Sequence, residues 1–207
     1  MGVYERYAWA PLLDLVMRQE PIRRQRAKVV PRATGRVLEV GLGSGLNLPV
    51  YDPRQVAKVW ALEPSEALQD RARRRAAAAG IAVEFIGLTG EQIPAADASF
   101  DTVVSTFTLC SIPDAARALG EMRRVLAPGG ALLFAEHGSA PDAGVARWQA
   151  RLNPVWRVLS GGCNMDRRIP ELIRAAGFCL DELETMYLPG PKVLTFNYWG
   201  RAVRDAA

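Results

Sequence analysis

The stretch that decides the fold runs from residue 37 to residue 45 and reads Val37-Leu38-Glu39-Val40-Gly41-Leu42-Gly43-Ser44-Gly45. Its first half is an apolar strand, and its second half has glycine at every second position. Because glycine has no Cβ, the main chain can pass close to a ligand, and the N–H groups of the turn favour an anionic group. The stretch therefore predicts a strand, a turn and a nucleotide-like ligand. A purely structural tight connection is the alternative interpretation.

The spacing of the glycines separates classes of ligand. The dinucleotide fingerprint needs a third glycine three positions after Gly43, where this chain has Leu46. Glu63 stands about 20 residues beyond the turn, at the predicted end of the next strand, where a carboxylate can accept hydrogen bonds from both hydroxyls of a ribose. A surface glutamate before Pro64 that only favours the next helix is the alternative. The pattern thus indicates a ribose-containing ligand and disfavours an NAD-dependent oxidoreductase.

Outward from this stretch, short apolar runs alternate with segments of helical period, which is typical of βα units on a parallel sheet. The fold class is therefore α/β, with a doubly wound, mostly parallel sheet. Predicted strands cover residues 36–40, 56–63, 82–86, 102–105 and 131–136. Predicted helices cover residues 45–50, 65–79, 114–126 and 170–176, with Ser65 as an N-cap and a turn at residues 128–130. Residues 183–188 and 193–199 predict a C-terminal β-hairpin that closes the sheet.

The length of 207 residues and the apolar fraction of 49% fit a single domain. We divide residues 1–207 into a helical arm (1–34), a ligand-binding core (35–138) and an acceptor-side, sheet-closing segment (139–207). Tyr4, Tyr7 and Trp9 in the arm could close a pocket as an aromatic lid or pack on the core. Both interpretations stay open.

The formal net charge is +4, and part of the excess is in the arm. The basic residues there are Arg18, Arg23, Arg24, Arg26, Lys28, Arg32 and Arg36. A solvated helix face explains most of them, and peripheral contact with an anionic membrane is the alternative. Nothing in the sequence indicates an obligate protein partner.

Three cysteines, Cys110, Cys163 and Cys179, have no spacing typical of a disulfide framework or a metal site, so we predict no metal. No apolar stretch reaches the roughly 18 residues that a membrane span needs. We therefore expect a cytoplasmic protein, with membrane contact limited to the periphery.

Four motifs, in order, resemble those of the class I S-adenosylmethionine-dependent methyltransferases. They are Glu39-x-Gly41-x-Gly43-x-Gly45, Glu63, Ile93-Pro94 followed by Ser99-Phe100-Asp101, and Arg123-Arg124-Val125-Leu126-Ala127-Pro128-Gly129-Gly130. The resemblance covers residues 36–136. It implies a Rossmann-like, seven-stranded fold and S-adenosyl-L-methionine as the cofactor.

The resemblance also implies a set of cofactor-binding residues. Gly41, Gly43 and Gly45 would lie beside the methionine moiety and Glu63 on the ribose, and the loop after the third strand would lie on the adenine. In that loop Thr89 stands where many relatives carry Asp, so its side-chain contact is in doubt, while main-chain contacts from Gly90 and Glu91 are unaffected. The other residues assigned to the cofactor are Glu39, Asn47, Pro64 and Thr106.

A narrower set of motifs is similar to the methyltransferase-like thiol S-methyltransferases. These motifs are Leu88-Thr89-Gly90-Glu91, Thr108-Leu109-Cys110-Ser111, Glu136-His137, Pro154 to Trp156, and Gly162-Cys163-Asn164. The hydrophobic anchor of the animal members is missing, which implies a soluble relative. A small-molecule acceptor is implied, either a thiol or an amphiphile. Phosphatidylethanolamine-type N-methyltransferases and quinone methyltransferases share the cofactor motifs, and a non-catalytic binding module is a further alternative.

His137 is the only histidine and follows the fifth predicted strand. It is our candidate catalytic base, with a packing role as the alternative. Cys110 is typical of a small buried hydrophobe, and Cys163 with Asn164 belongs either to a lid or to a simple turn. Ser105-Thr106-Phe107-Thr108 replaces the Asn/Asp-Pro-Pro-aromatic motif of base-modifying enzymes, so we expect no nucleic-acid substrate.

Overall fold

The computed structural model describes residues 10–204 and has seven strands within them. They are β1 (Val37–Val40), β2 (Lys58–Leu62), β3 (Ala82–Gly87), β4 (Phe100–Thr106), β5 (Leu126–His137), β6 (Phe178–Tyr187) and β7 (Phe196–Arg204). They form one sheet in the order β3-β2-β1-β4-β5-β7-β6. Neighbouring strands among β1 to β5 are parallel, and β7 runs antiparallel to β5 and β6. The predicted doubly wound sheet with a C-terminal hairpin is confirmed.

The helices lie before, between and after these strands. They are α1 (Ala10–Met17), α2 (Glu20–Val29), α3 (Glu66–Ala79), α4 (Ala115–Val125), α5 (Ala143–Leu159), α6 (Ile169–Ala175) and α7 (Lys192–Thr195). Helices α1 and α2 make up the arm as far as it is described. Tyr4, Tyr7 and Trp9 lie outside the described residues, so the aromatic lid stays a prediction.

Two apolar layers enclose the sheet, because successive side chains of a strand point to opposite faces. Leu38 and Phe134 pack on one face with residues of α4 and α6. Val37 and Leu133, each one position away, pack on the other face with residues of α2 and α3. Strands β1, β4 and β5 are therefore buried on both sides, and each contains a short apolar run.

The predicted helix at residues 45–50 is wrong. These residues form turns followed by one 3₁₀ turn at Leu48–Val50. Pro49 has no N–H to donate and disfavours the α conformation at the residue before it. The side-chain amide of Asn47 is also held by hydrogen bonds to Glu39 and Thr106, which tie this segment to the sheet.

Ser65 precedes α3 as predicted, but its hydroxyl caps nothing. The Oγ atom is buried and has no hydrogen-bond partner among the described residues. Its main-chain N–H instead donates to a carboxylate oxygen of Glu63 at 2.8 Å. The helix ends at Gly80 in a left-handed conformation, in agreement with the sequence.

The hairpin differs from its prediction in its bounds. The segment at residues 192–195 is the short helix α7, and the two strands extend to Phe178 at one end and Arg204 at the other. Strand β6 is an edge strand with many exposed residues, so apolar runs mark only part of its length. Residues 128–130 are part of β5, at the place where its register with β4 shifts.

The fold yields a stability prediction at Gly200 in β7. A Cβ there would collide with the carbonyl oxygen of Glu182 in β6, beside a register shift between the two strands. We expect Gly200→Ala to lower the free energy of unfolding by about 1–3 kcal/mol, as overpacking does. Urea unfolding followed by circular dichroism measures it.

Gly120 in α4 is the matched control, since a Cβ there would meet nothing within 4 Å in the part of the chain that the structure describes. Gly120→Ala should raise the free energy of unfolding by roughly 0.5–1 kcal/mol, because alanine favours a helix interior. Equal stability of Gly200→Ala and the unaltered protein would contradict the packing described for β6 and β7.

Candidate functional site

The glycine-rich turn after β1 borders open space at one position. Gly41, Gly43 and Gly45 all have a left-handed backbone, with φ of +72°, +59° and +79°. A Cβ at Gly41 would collide with Thr108, and a Cβ at Gly45 would lie 3.0 Å from the Cα of Ala72. Among residues 10–204, a Cβ at Gly43 would meet nothing within 4 Å. Two of the glycines thus permit close packing, and Gly43 leaves room for a ligand.

Glu63 lies directly against this open position. One carboxylate oxygen accepts a hydrogen bond from the N–H of Gly43 at 2.8 Å, and the other accepts one from the N–H of Ser65 at 2.8 Å. The residue is only 5% exposed, so it is not a surface glutamate. Two main-chain donors therefore fix the carboxylate beside the glycine turn, at the carboxyl edge of the sheet where doubly wound folds bind ligands.

Three more of the predicted residues form one buried network. The side-chain amide of Asn47 donates to Glu39 and to the hydroxyl of Thr106, both at 2.9 Å. The hydroxyl of Tyr51 donates to the second oxygen of Glu39 at 2.6 Å. Burial raises the pKa of Glu39 to about 7, and the hydrogen bonds from Tyr51 and Asn47 oppose the rise. This network joins the end of β1 to the end of β4.

Arg26 in α2 is an exception to the solvated basic face that was predicted for most basic residues of the arm. The residue is 6% exposed, and its guanidinium lies 5.1 Å from the centre of the Phe107 ring. Burial lowers the pKa of Arg26 to about 10, while the attraction of Glu39 and Glu136 opposes the change. One arginine of the arm is thus part of the site. Its position in a basic helix gave no indication that it is buried.

Most other basic residues of the arm have partners in the protein. Arg23 and Arg24 pair with Glu20, and Arg32 pairs with Glu182 at 2.5 Å. Exposed pairs of this kind stabilise little, but they reduce the free positive charge of the arm. No helix within residues 10–204 is long and apolar enough to cross a membrane.

Glu136 at the end of β5 organises the loop after β4. It is fully buried and accepts hydrogen bonds from the Ser105 hydroxyl at 2.8 Å and from the N–H groups of Thr108 at 3.1 Å and Cys110 at 3.4 Å. Burial raises the pKa of Glu136 to about 7, and these hydrogen bonds oppose the rise. The carboxyl group therefore fixes the loop that Phe107 begins.

Asp14 in α1 ties the arm to the glycine turn. It is 3% exposed, accepts a hydrogen bond from the Ser44 hydroxyl and accepts one from Arg75 in α3 at 3.0 Å. Arg75 also donates to the carbonyl oxygen of Ser44 at 2.5 Å. Sequence reasoning missed Asp14, because it stands between apolar residues of a helix whose docking no local pattern reveals.

The loop predicted to contact the adenine follows β3. Thr89 and Pro64 are exposed, whereas Gly90 is buried and a Cβ there would lie 3.0 Å from Val40. Glu91 accepts a hydrogen bond from the N–H of Asp114 at 3.3 Å. The loop thus lies at the same edge as Glu63, and its contacts with a cofactor stay predictions.

His137 lies at the end of β5, next to a cysteine. Its Nδ1 atom is 3.3 Å from the sulfur of Cys163, and its Nε2 atom is buried without a hydrogen-bond partner among the described residues. The ring is 7% exposed. The sheet edge therefore has two parts, a buried carboxylate beside the glycine turn at Glu63 and a cysteine–histidine pair at His137.

The chain is similar to known methyltransferases. The model of a family described as a methyltransferase domain matches residues 38–134. A thiol S-methyltransferase of Rattus norvegicus is 35% identical over 178 residues, which is 81% of this chain and 70% of that protein. A phosphatidylethanolamine N-methyltransferase of Cereibacter sphaeroides is 33% identical over 153 residues, which is 72% of this chain and 74% of that protein.

A solved structure shares the fold. The S-adenosylmethionine-dependent methyltransferase of Mesorhizobium loti superposes with a TM-score of 0.67 at 18% identity, over 93% of this chain and 100% of that chain. At this level of identity the likeness concerns the architecture alone.

Proposed function

The chain belongs to the class I S-adenosylmethionine-dependent methyltransferases, and we propose that its methyl acceptor is the sulfur of a small thiol. The protein is an enzyme that carries out S-adenosylmethionine-dependent methyl transfer. The observation that carries the cofactor assignment is the Glu63 carboxylate, fixed by two main-chain donors beside Gly43. The thiol acceptor is supported by the similarity to a thiol S-methyltransferase.

We assign Glu63 to the ribose of S-adenosylmethionine and Gly43 to its methionine end. A carboxylate accepts up to about four hydrogen bonds and donates none when ionised, which suits a diol that has two O–H donors. The open space at Gly43 is of the kind that a bound ligand fills. When bound, this cofactor supplies a methyl group on a positively charged sulfur.

The network of Glu39, Asn47 and Thr106 supports the assignment by fixing the shape of the site. It holds the end of β1 against the end of β4, and Thr108 packs over Gly41 between them. Alignment of two reactants supplies up to roughly 7–11 kcal/mol of barrier reduction in favourable cases, so a rigid edge is what methyl transfer needs.

We propose His137 as the group that takes up the proton of the acceptor. A thiol must become a thiolate to attack a methyl carbon, and a free thiol has a pKa of about 8.5. The Nε2 atom of His137 is buried without a partner among the described residues, and Cys163 holds the opposite side of the ring. The thiol acceptor itself is supported by the 35% identity to a thiol S-methyltransferase.

A second candidate acceptor is an amphiphile such as a phospholipid or a quinone, presented by a lipid surface. One face of α5 exposes Trp148, Leu152, Val155 and Leu159 at helical spacing, with exposures of 55%, 41%, 63% and 67%. Arginines on the same helix, Arg147 among them, are exposed as well. An apolar stripe beside arginines is typical of helices that lie on anionic membranes. The similarity to a phosphatidylethanolamine N-methyltransferase points the same way.

The cofactor assignment predicts that Glu63→Gln weakens binding of S-adenosylmethionine by roughly tenfold to a hundredfold, which corresponds to the loss of hydrogen bonds to a charged group. Gly43→Ala should weaken it too, because the added methyl enters the open space while Glu63 is unchanged. Isothermal titration calorimetry with the cofactor and its demethylated product measures both.

Glu66→Gln serves as the control, since Glu66 begins α3 only three positions away and is exposed. Its affinity should match that of the unaltered chain. Thermal unfolding without ligand checks that each variant folds. Folded Glu63→Gln with unchanged affinity would refute the ribose assignment.

The acceptor is tested by incubating the protein and S-adenosylmethionine with small thiols, quinones and phospholipid vesicles containing phosphatidylethanolamine. We expect a mass gain of one methylene on the thiols. Mass spectrometry of the products reads the acceptor directly. Methylation confined to the phospholipid or the quinone would reject the thiol and favour the second candidate.

The proposed role of His137 predicts a pH-dependent defect in His137→Gln. At pH near 7 the variant should lose about a hundredfold in kcat, within the range typical of general-base catalysis. Above the thiol pKa of about 8.5 the acceptor ionises without help, so the defect should shrink. A steady-state pH profile measures this, and a defect that is equal at all pH values would indicate a structural role.

A further inference from the structure

Two thiols lie beside His137, and neither has a part in the proposed methyl transfer. The side chain of Cys110, in the loop after β4, interacts with that of Cys163, in the segment after α5. The Nδ1 atom of His137 approaches the sulfur of Cys163 at 3.3 Å. Cys110 is 2% exposed, whereas Cys163 is partly exposed. One thiol is thus sheltered and the other can meet a small molecule.

Main-chain contacts hold the two cysteines together. The carbonyl oxygen of Cys110 accepts hydrogen bonds from the N–H of Asn164 at 2.8 Å and from its side-chain amide at 3.0 Å. On the other side, the N–H of Cys110 donates to Glu136 at 3.4 Å. The main chain of Cys110 is therefore fixed on both sides, and one of its partners is the residue that follows Cys163.

The surroundings give the two thiols different roles. The neighbouring Cys110 thiol and His137 lower the pKa of Cys163, which favours its thiolate. The neighbouring Cys163 and burial raise the pKa of Cys110, which keeps its proton. The thiolate is the nucleophilic form of cysteine, and a protonated thiol beside it can resolve an oxidised sulfur.

We propose that Cys163 and Cys110 are a redox-reactive dithiol that a small peroxide converts to an intramolecular disulfide. The proposal is separate from the methyl-transfer chemistry and needs neither donor nor acceptor. With hydrogen peroxide as the oxidant, the Cys163 thiolate attacks one oxygen, so that an S–O bond forms, the O–O bond breaks and hydroxide leaves to be protonated by solvent. The product at Cys163 is a sulfenic acid.

The second step closes the disulfide. The sulfur of Cys110 attacks the sulfur of Cys163, the S–S bond forms, the S–O bond breaks, and the leaving hydroxide takes the proton of Cys110 as water. Two thiols are oxidised and one peroxide is reduced to two waters. An added dithiol such as dithiothreitol reverses the change by thiol–disulfide exchange.

Cys179 provides the matched control within the same chain. It is a free cysteine, exposed on the edge strand β6. If exposure alone decided reactivity, Cys179 would be oxidised first. If the proximity of two thiols decides it, Cys163 and Cys110 will be oxidised first.

The experiment treats the full chain with low concentrations of hydrogen peroxide, alkylates the free thiols and reads intact mass and cysteine peptides by mass spectrometry. We expect the loss of two hydrogen atoms, one alkylated cysteine at position 179, and one peptide pair joined through Cys110 and Cys163. Cys179→Ser should behave in the same way. Dithiothreitol should restore three alkylation sites.

Two variants separate the steps. Cys110→Ser should stop at the sulfenic acid of Cys163, which dimedone traps, and Cys163→Ser should form no disulfide. Thermal unfolding verifies that both variants fold. The disulfide mapping of the unaltered chain tests the proposal even if a variant does not fold. Oxidation of Cys179 before Cys163, or Cys110 and Cys163 both alkylated after peroxide treatment, would overturn the proposal. Because no methyl donor is present, this outcome is independent of the proposed acceptor.

Discussion

The hydrogen bond from the Gly43 N–H to the Glu63 carboxylate is the interaction on which the site depends. It joins a turn after β1 to the residue after β2, and it orients a buried carboxylate that a second main-chain donor, at Ser65, holds from the other side. The turn could not approach so closely with other backbone geometry, since Gly43 lies in the left-handed region. The sheet places the ends of β1 and β2 side by side, and the hydrogen bond holds the turn and the carboxylate in fixed positions.

Buried ionisable side chains restrict further positions along the carboxyl edge of the sheet. Glu39 in β1 and Glu136 in β5 lie on the two strands that flank β4. Both have a raised pKa, and the buried guanidinium of Arg26 is attracted to both. Buried ionisable groups are costly unless they are paired and hydrogen-bonded, so each of these groups restricts its neighbours. The loop after β4 therefore has little freedom, which fits the positioning role that methyl transfer asks of it.

The sequence predicted the parallel strands well because strands buried on both faces read as apolar runs bounded by glycine or proline. It also predicted that Glu63 would lie near the turn, since spacing and strand ends define that edge. The sequence failed to predict residues 45–50, where the side chain of Asn47 turns inward to Glu39. It also failed to predict the burial of Arg26, because the neighbouring arginines of the same helix lie on the surface. At Arg26 long-range packing decided the outcome, and no local pattern reports it. At residues 45–50 the long-range contacts of Asn47 acted together with Pro49, which is a local signal against a helix.

The docking of α1 through Asp14 has a thermodynamic consequence. Its carboxylate lies against Ser44, one residue from Gly43, and the guanidinium of Arg75 in α3 completes the contact. A ligand at Gly43 that binds more tightly when α1 is docked must stabilise the docked helix by the same free energy. Asp14 and Glu63 thus hold the same turn from two elements, so the affinity at this turn and the docking of α1 are linked equilibria.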